Sequence, residues 1–161
     1  MGKETLMDLD VEDTQKGRYL TFCLGEEVFG IEIRHVTEIV GIQPITGIPE
    51  VPDYVRGIIN LRGEIIPVID VRVKFKKDEI EYDNRTCIVV VDIQDISVGL
   101  IVDNVSEVLT IDEENIVDPP DYRTGFQNRY IKNIGRSNDG VKLLLDCNRI
   151  LDSGELEAIS N

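Results

Sequence analysis

An all-β fold of two small barrels packed together is predicted by three features of this sequence. Ten short β-rich runs are separated by turn-like breaks, and the runs fall into two similar halves. Five strands per half would also leave exposed sheet edges, most of which closure into a barrel removes. Short helical turns and a helical C-terminal tail complete the expected architecture.

The first half holds YLTFCLG (19–25), EVFGIEI (27–33), VTEIVGI (36–42), VRGIINL (55–61) and EIIPVIDVRV (64–73). These runs are rich in β-branched and aromatic residues, which suit a pleated, half-buried surface. Glu26 and Glu27 follow Gly25 in a hairpin-sized gap, and GIPEVPDYVRG, with its two prolines, reads as a turn. A charged connector, KFKKDEIEYDN, leads to the second half: TCIVVVDI (86–93), ISVGLIV (96–102), SEVLTID (106–112), YIKNIG (130–135) and VKLLLDC (141–147). The tail RILDSGELEAI has helical character that Gly154 weakens. The expected organisation is a flexible acidic leader (1–17), one domain (18–151) with subdomains of about 18–75 and 84–147, and a C-terminal helix or tail (148–161).

The halves are related residue by residue. At an offset of 69, VFGIEIRHVTEIVGI aligns with SVGLIVDNVSEVLTI, pairing Gly30 with Gly99, Val36 with Val105, Thr37 with Ser106 and Glu38 with Glu107. At an offset of 76, Tyr54 meets Tyr130, Arg56 meets Lys132, Ile58 meets Ile134 and Asp70 meets Asp146. Two similar units facing one another would leave a groove between them, a natural seat for a partner.

Composition narrows the function. The chain has 161 residues, 42% hydrophobic and 30% charged, which is a globular balance. A net charge of −14 argues against nucleic acid as a partner. No apolar run is long enough to span a bilayer and no signal-peptide segment opens the chain, so a cytoplasmic protein without direct membrane insertion is expected. Cys23, Cys87 and Cys147 lie far apart in apolar runs, and His35 is the single histidine. Core thiols with no metal site and no cofactor are the expectation.

An enzyme finds little footing. No serine sits in a G-x-S-x-G setting, and neither phosphate-binding glycine motif is present. With 31 acidic residues, a hydrolase using a carboxylate pair is the catalytic alternative. No catalytic residue is assigned.

The run VRGIINLRGEIIPVIDVR (55–72) carries two Arg-Gly steps. Arg62-Gly63 lies where the chain must reverse, and Gly63 can adopt the positive φ a turn needs. Gly57 suits a bulge or the close approach of another backbone. Arg62 has two readings, a solvated turn residue or a partner of Glu38, which itself either pairs or faces water.

The combination FGIEIRHVTEIVG, IPEVPDYVRGIINLRGEIIPVIDVR and VGLIVDNVSEVL resembles the CheW-like domain family, that of the chemotaxis coupling proteins. The likeness covers roughly residues 18–151 and implies two five-stranded SH3-like barrels. It implies a non-catalytic adaptor with two partners. One is the regulatory domain of the chemotaxis histidine kinase CheA; the other is the cytoplasmic tip of methyl-accepting chemoreceptors. The same domain also occurs within larger chemotaxis proteins, and a stand-alone coupler fits this length; its pathway need not control swimming. By position, the resemblance implies receptor contacts at Val36, Arg56, Gly57 and Val105, with Gly57→Asp expected to stay folded and weaken the receptor contact. It implies kinase contacts or a structural ion pair at Glu38, Ile39, Val40 and Arg62.

Overall fold

The computed structural model describes residues 16–119 and 129–159; the expected leader therefore lies almost wholly outside the described residues. The first half forms β1 (Arg18–Leu24), β2 (Glu27–Glu32), β3 (Val36–Gly41), β4 (Val55–Leu61) and β5 (Glu64–Asp70), then a one-turn helix α1 (Val71–Lys74). The second forms β6 (Cys87–Ile93), β7 (Ile96–Val102), β8 (Asn104–Thr110), a short β9 (Ile116–Val117), β10 (Ile131–Ser137) and β11 (Gly140–Leu145). Helices α2 (Cys147–Ile150) and α3 (Ser153–Ile159) end the described chain. All ten expected strands are present; β3 and β4 alternate between more buried and more open positions, whereas β1, β5, β6 and β7 carry continuous buried runs. In β4, Val55, Gly57, Ile59 and Leu61 are buried while Arg56, Ile58 and Asn60 are not.

The repeat is visible in the caps. Asp70 and Asp146 each end a strand and accept a helix N–H, from Val73 at 3.3 Å and Asn148 at 3.0 Å. Their own N–H groups donate to the carbonyls of Tyr54 and Tyr130, the other repeat-related pair.

Strand order corrects the expected subdomain limits. One sheet runs β8–β1–β2–β11–β10–β9 and the other β3–β6–β7–β5–β4. The limits of about 18–75 and 84–147 thus mark the two repeats, not the two barrels. Each barrel takes the first hairpin of one repeat and the remaining strands of the other. The 3-10 turn Ile33–His35 carries the chain from β2 to the far sheet. The exchange is sealed by two parallel pairings, β5 with β7 and β11 with β2. Gly99 and Gly30 stand at these crossings, opposite Val68 and Leu144. A Cβ on Gly99 would lie 2.7 Å from side-chain atoms of Val68 and Ile88, and one on Gly30 would lie 2.8 Å from Leu144.

Both barrels close in the same way. The chain beyond β3 returns at Thr46, which exchanges two 2.9 Å backbone hydrogen bonds with Ile58 of β4. Beyond β8 it returns as β9, where Val117 pairs with Ile134, the repeat partner of Ile58. Closure leaves two SH3-like subdomains with few free edges.

Three apolar clusters fill the molecule. Val40, Ile42, Val68 and Ile88 belong to the interior of one barrel; their repeat partners Leu109, Ile111, Leu144 and Tyr19 belong to the other. The third and largest lies between the barrels and includes Phe22, Phe29, Phe75 and Tyr130. Their rings follow one another at 5.6, 5.6 and 4.8 Å. The space expected to be a groove between the units is thus packed core, and only its rim is open. The expected core thiols also divide: Cys147 is buried, whereas Cys23 and Cys87 are half-buried. No helix among the described residues is long and apolar enough to cross a membrane.

Gly57 has φ 143°, and a Cβ there would collide with the Thr46 carbonyl that closes the barrel. This overturns the expectation that Gly57→Asp folds normally. The substitution should lower stability by roughly 2–4 kcal/mol in urea titration, and a wild-type midpoint would contradict the seam assignment. Burial pushes the Cys147 thiol up to about 12. Iodoacetamide on the native protein should therefore label Cys23 and Cys87 first. Mass spectrometry finding Cys147 labelled alongside them would contradict its burial.

Candidate functional site

Strands β3 and β8 are repeat partners and lie at sheet edges. Val36 stands opposite Val91 on β6, and Val105 opposite Phe22 on β1, each beside a register shift. Both are half-buried and pack against the inter-barrel cluster. The structure therefore brings these two candidates to one shared core. Further along the same strands, Ile39 and Val108, also repeat partners, are 43% and 42% exposed.

Val40 and Ile39 do not share a face. Val40 packs into its barrel's interior cluster while Ile39 points outward, as period-two alternation requires. Only Ile39 is available as a surface contact; Val40 is packing.

Glu38 and Arg62 form an ion pair, Arg62 Nη2 to Glu38 Oε1. Arg62 sits at φ 53° in the β4–β5 turn, where Gly63 N–H donates to Asn60 Oδ1 at 2.8 Å. The pair joins edge strand β3 to that turn. Because Arg62 is largely exposed, the pair adds at most about 1 kcal/mol, and it serves geometry more than stability. In the second repeat Glu107 matches Glu38, and the position matching Arg62 is Asn138.

Arg56 leaves β4 beside Asp70, whose carboxylate is almost wholly buried; Arg56 Nε and Asp70 Oδ2 are 3.8 Å apart. Its Nη2 pairs with Glu79 of the connector. Burial works against the charge, but Tyr82, Glu79 and Asp70 outweigh it and hold the guanidinium above its ordinary value. Tyr82 donates to Asp70 Oδ2 at 2.7 Å, and burial followed by that bond holds its phenol well above the usual range. Arg72 clamps the neighbouring region through Nε–Oδ1 (2.7 Å) and Nη2–Oδ2 (2.6 Å) contacts to Asp103, and Nη1 donates to the Asp78 carbonyl at 2.9 Å. Gly57, next to Arg56, is buried in the closure seam rather than presented at this surface.

Helix α3 is tied down by a further ionic contact. The buried Lys74 ammonium pairs with Glu155, to which Tyr54 also donates, and it lies 4.1 Å from the Tyr54 ring centroid. Burial of Glu155 is outweighed by the Asp152 N–H, Lys74 and Tyr54, leaving its carboxyl below the usual range.

Sequence reasoning missed Glu79, Tyr82, Lys74 and Glu155, because polar contacts across long separations leave no periodic signal. It also passed over Ile65 and Val141, 57% and 54% exposed, although the offset of 76 that matched Arg56 to Lys132 relates them too. Among the described residues, no cluster of histidine, cysteine and acidic side chains has metal-binding geometry.

The architecture can be set beside known proteins. Residues 18–155 match the CheW-like domain. The chemotaxis protein CheW of Klebsiella aerogenes is 36% identical over 149 residues, covering 92% of this chain and 90% of its own. That of Treponema pallidum is 35% identical over 146 residues, with coverage of 88% and 86%. The crystal structure of the scaffolding protein TtCheW from Thermoanaerobacter tengcongensis superimposes with a TM-score of 0.79 at 35% identity, over 86% of this chain and 94% of that one. With two exchanged barrels, Glu38 and Arg62 in contact and a family match across nearly all described strands, the chain belongs to the CheW-like domain family.

Proposed function

We propose that this chain is a chemotaxis scaffold. It couples the cytoplasmic tips of methyl-accepting chemoreceptors to the regulatory domain of the chemotaxis histidine kinase, in the cytoplasm and without catalysis of its own. The observation that carries the reading is the doubling of one surface on one chain. Exposed Ile39 and Ile65 on one barrel have repeat partners in exposed Val108 and Val141 on the other. A molecule that presents related faces on two packed units is suited to holding partners together. The match to chemotaxis proteins named CheW supports what those partners are.

The receptor is assigned to the rim. Val36 and Val105 offer partly exposed apolar contacts over a rigid core, and Arg56 is the polar group of the set. A helical tip laying an apolar face there would use helix-in-groove recognition. The kinase is assigned to the barrel end carrying Ile39, Ile65 and the Glu38–Arg62 pair, where two exposed aliphatic side chains accompany a fixed charge pair. Kinase output would follow from preferential binding to one of its states. Several weak contacts made at once would give an array its cooperativity.

Two measurements divide these assignments. Val105→Ala should weaken binding of a purified receptor cytoplasmic fragment about tenfold while leaving kinase binding intact, read by calorimetry. Equal loss of both partners would indicate a folding defect and sink the rim assignment. Ile65→Asp should abolish kinase co-purification and spare the receptor, because it puts a charge into an apolar contact. Wild-type chain that captures neither partner at low and at high salt would overturn the coupling reading itself.

A further inference from the structure

The connector between the repeats, expected only as a charged linker, lies across the Arg56 surface as a strap. Residues 77–83 have no regular secondary structure, yet they are held at several points. Lys77 N–H donates to the Arg72 carbonyl at 2.8 Å and its ammonium pairs with Glu27 of β2. The Asp78 carbonyl accepts from Arg72 at 2.9 Å, and Tyr82 reaches the buried Asp70 at 2.7 Å. Between these anchors, Glu79 places its carboxylate on Arg56.

Asp70 stands 3.8 Å from Arg56 Nε, beyond hydrogen-bond reach. Its Oδ1 accepts from Val73 N–H at 3.3 Å and its Oδ2 from Tyr82. The buried Arg56 Nε makes no hydrogen bond; Tyr82 acts on the guanidinium, and Nη2 donates to Glu79 Oε1. That pair is the loosest point of the strap: the Glu79 side chain is 66% exposed and Arg56 27%. An exposed pair contributes little, so exchanging its carboxylate for another is nearly neutral. The strap's other anchors would remain in place through such an exchange.

From this arrangement we infer that Glu79 is a built-in competitor for Arg56, occupying the guanidinium until a carboxylate of the receptor tip replaces it. The inference rests on the proposed role of Arg56 at the receptor surface. In this scheme Arg56 is never left bare beside the buried Asp70. Its contribution to affinity is the difference between two carboxylates, so a partner is selected by placement of its acid and not by charge alone.

The test titrates a purified receptor cytoplasmic fragment into the full chain by calorimetry. Glu79→Gln should bind about two- to fivefold more tightly. Asp78→Asn, which removes the same charge one residue away, should bind as wild type. Arg56→Ala should bind more weakly, and adding Glu79→Gln to it should change nothing. Unchanged or weaker binding by Glu79→Gln overturns the inference, as does an equal gain from Asp78→Asn or a gain that survives in Arg56→Ala. If Arg56→Ala binds as wild type, the receptor reading of Arg56 falls and takes the inference with it. Loss in Arg56→Ala without gain in Glu79→Gln removes the inference alone.

Discussion

Everything in this fold depends on two parallel strand pairings, each made where a glycine lets a neighbouring strand come close. Gly99 admits Val68 and Gly30 admits Leu144, so the last strand of each repeat lies along the second strand of the other. Parallel pairs cannot be joined by a tight turn, and here they link segments distant in the chain. Once they form, the hairpins they carry must pack back to back. The layer between them becomes the largest apolar cluster, with its run of four aromatic rings. The caps at Asp70 and Asp146 then end the paired strands in the same way on both sides.

The repeat supplies two related faces, and later divergence makes them different. One barrel has the Glu38–Arg62 pair; the other has Glu107 and Asn138 at those positions. Arg56 meets Asp70 and the connector, whereas its partner Lys132 pairs with Glu32 at 2.7 Å. Lys74 and Glu155 bind α3 beside Tyr54, whereas the position matching Lys74 is Ile150. Such differences suit a scaffold that must distinguish its two partners. They fall at polar positions, where a change costs little, while the apolar positions of the two interiors still correspond.

Much of this was legible from residues alone. Strand positions followed from short runs rich in β-branched and aromatic residues between turn-like breaks, a composition that suits a pleated, buried surface whatever the tertiary context. The repeat was legible because matched positions such as Ile58 and Ile134 do matched work in closing the barrels. The exchange of hairpins between repeats was not legible. Local pattern says which side of a strand is buried but not which strand lies beside it. Gly57 was recognised as a close-approach position, yet the backbone that approaches it, at Thr46, only the fold could name. Ile39 and Val40 were grouped by the family resemblance, although adjacency in a strand places them on opposite faces. The connector read only as a charged link between the repeats, whereas ion pairs from Lys77 and Glu79 anchor it to the barrels.

The exchanged hairpins bear on how such a chain could arise. One repeat alone offers an opening hairpin and three further strands that belong to different barrels, so it completes neither. Two identical copies would satisfy one another through the same pair of parallel contacts and form a twofold-symmetric, domain-swapped homodimer. The present chain has the connectivity of that homodimer within one polypeptide. Its halves differ in sequence, as the copies of a symmetric dimer cannot, so two related faces can carry different side chains.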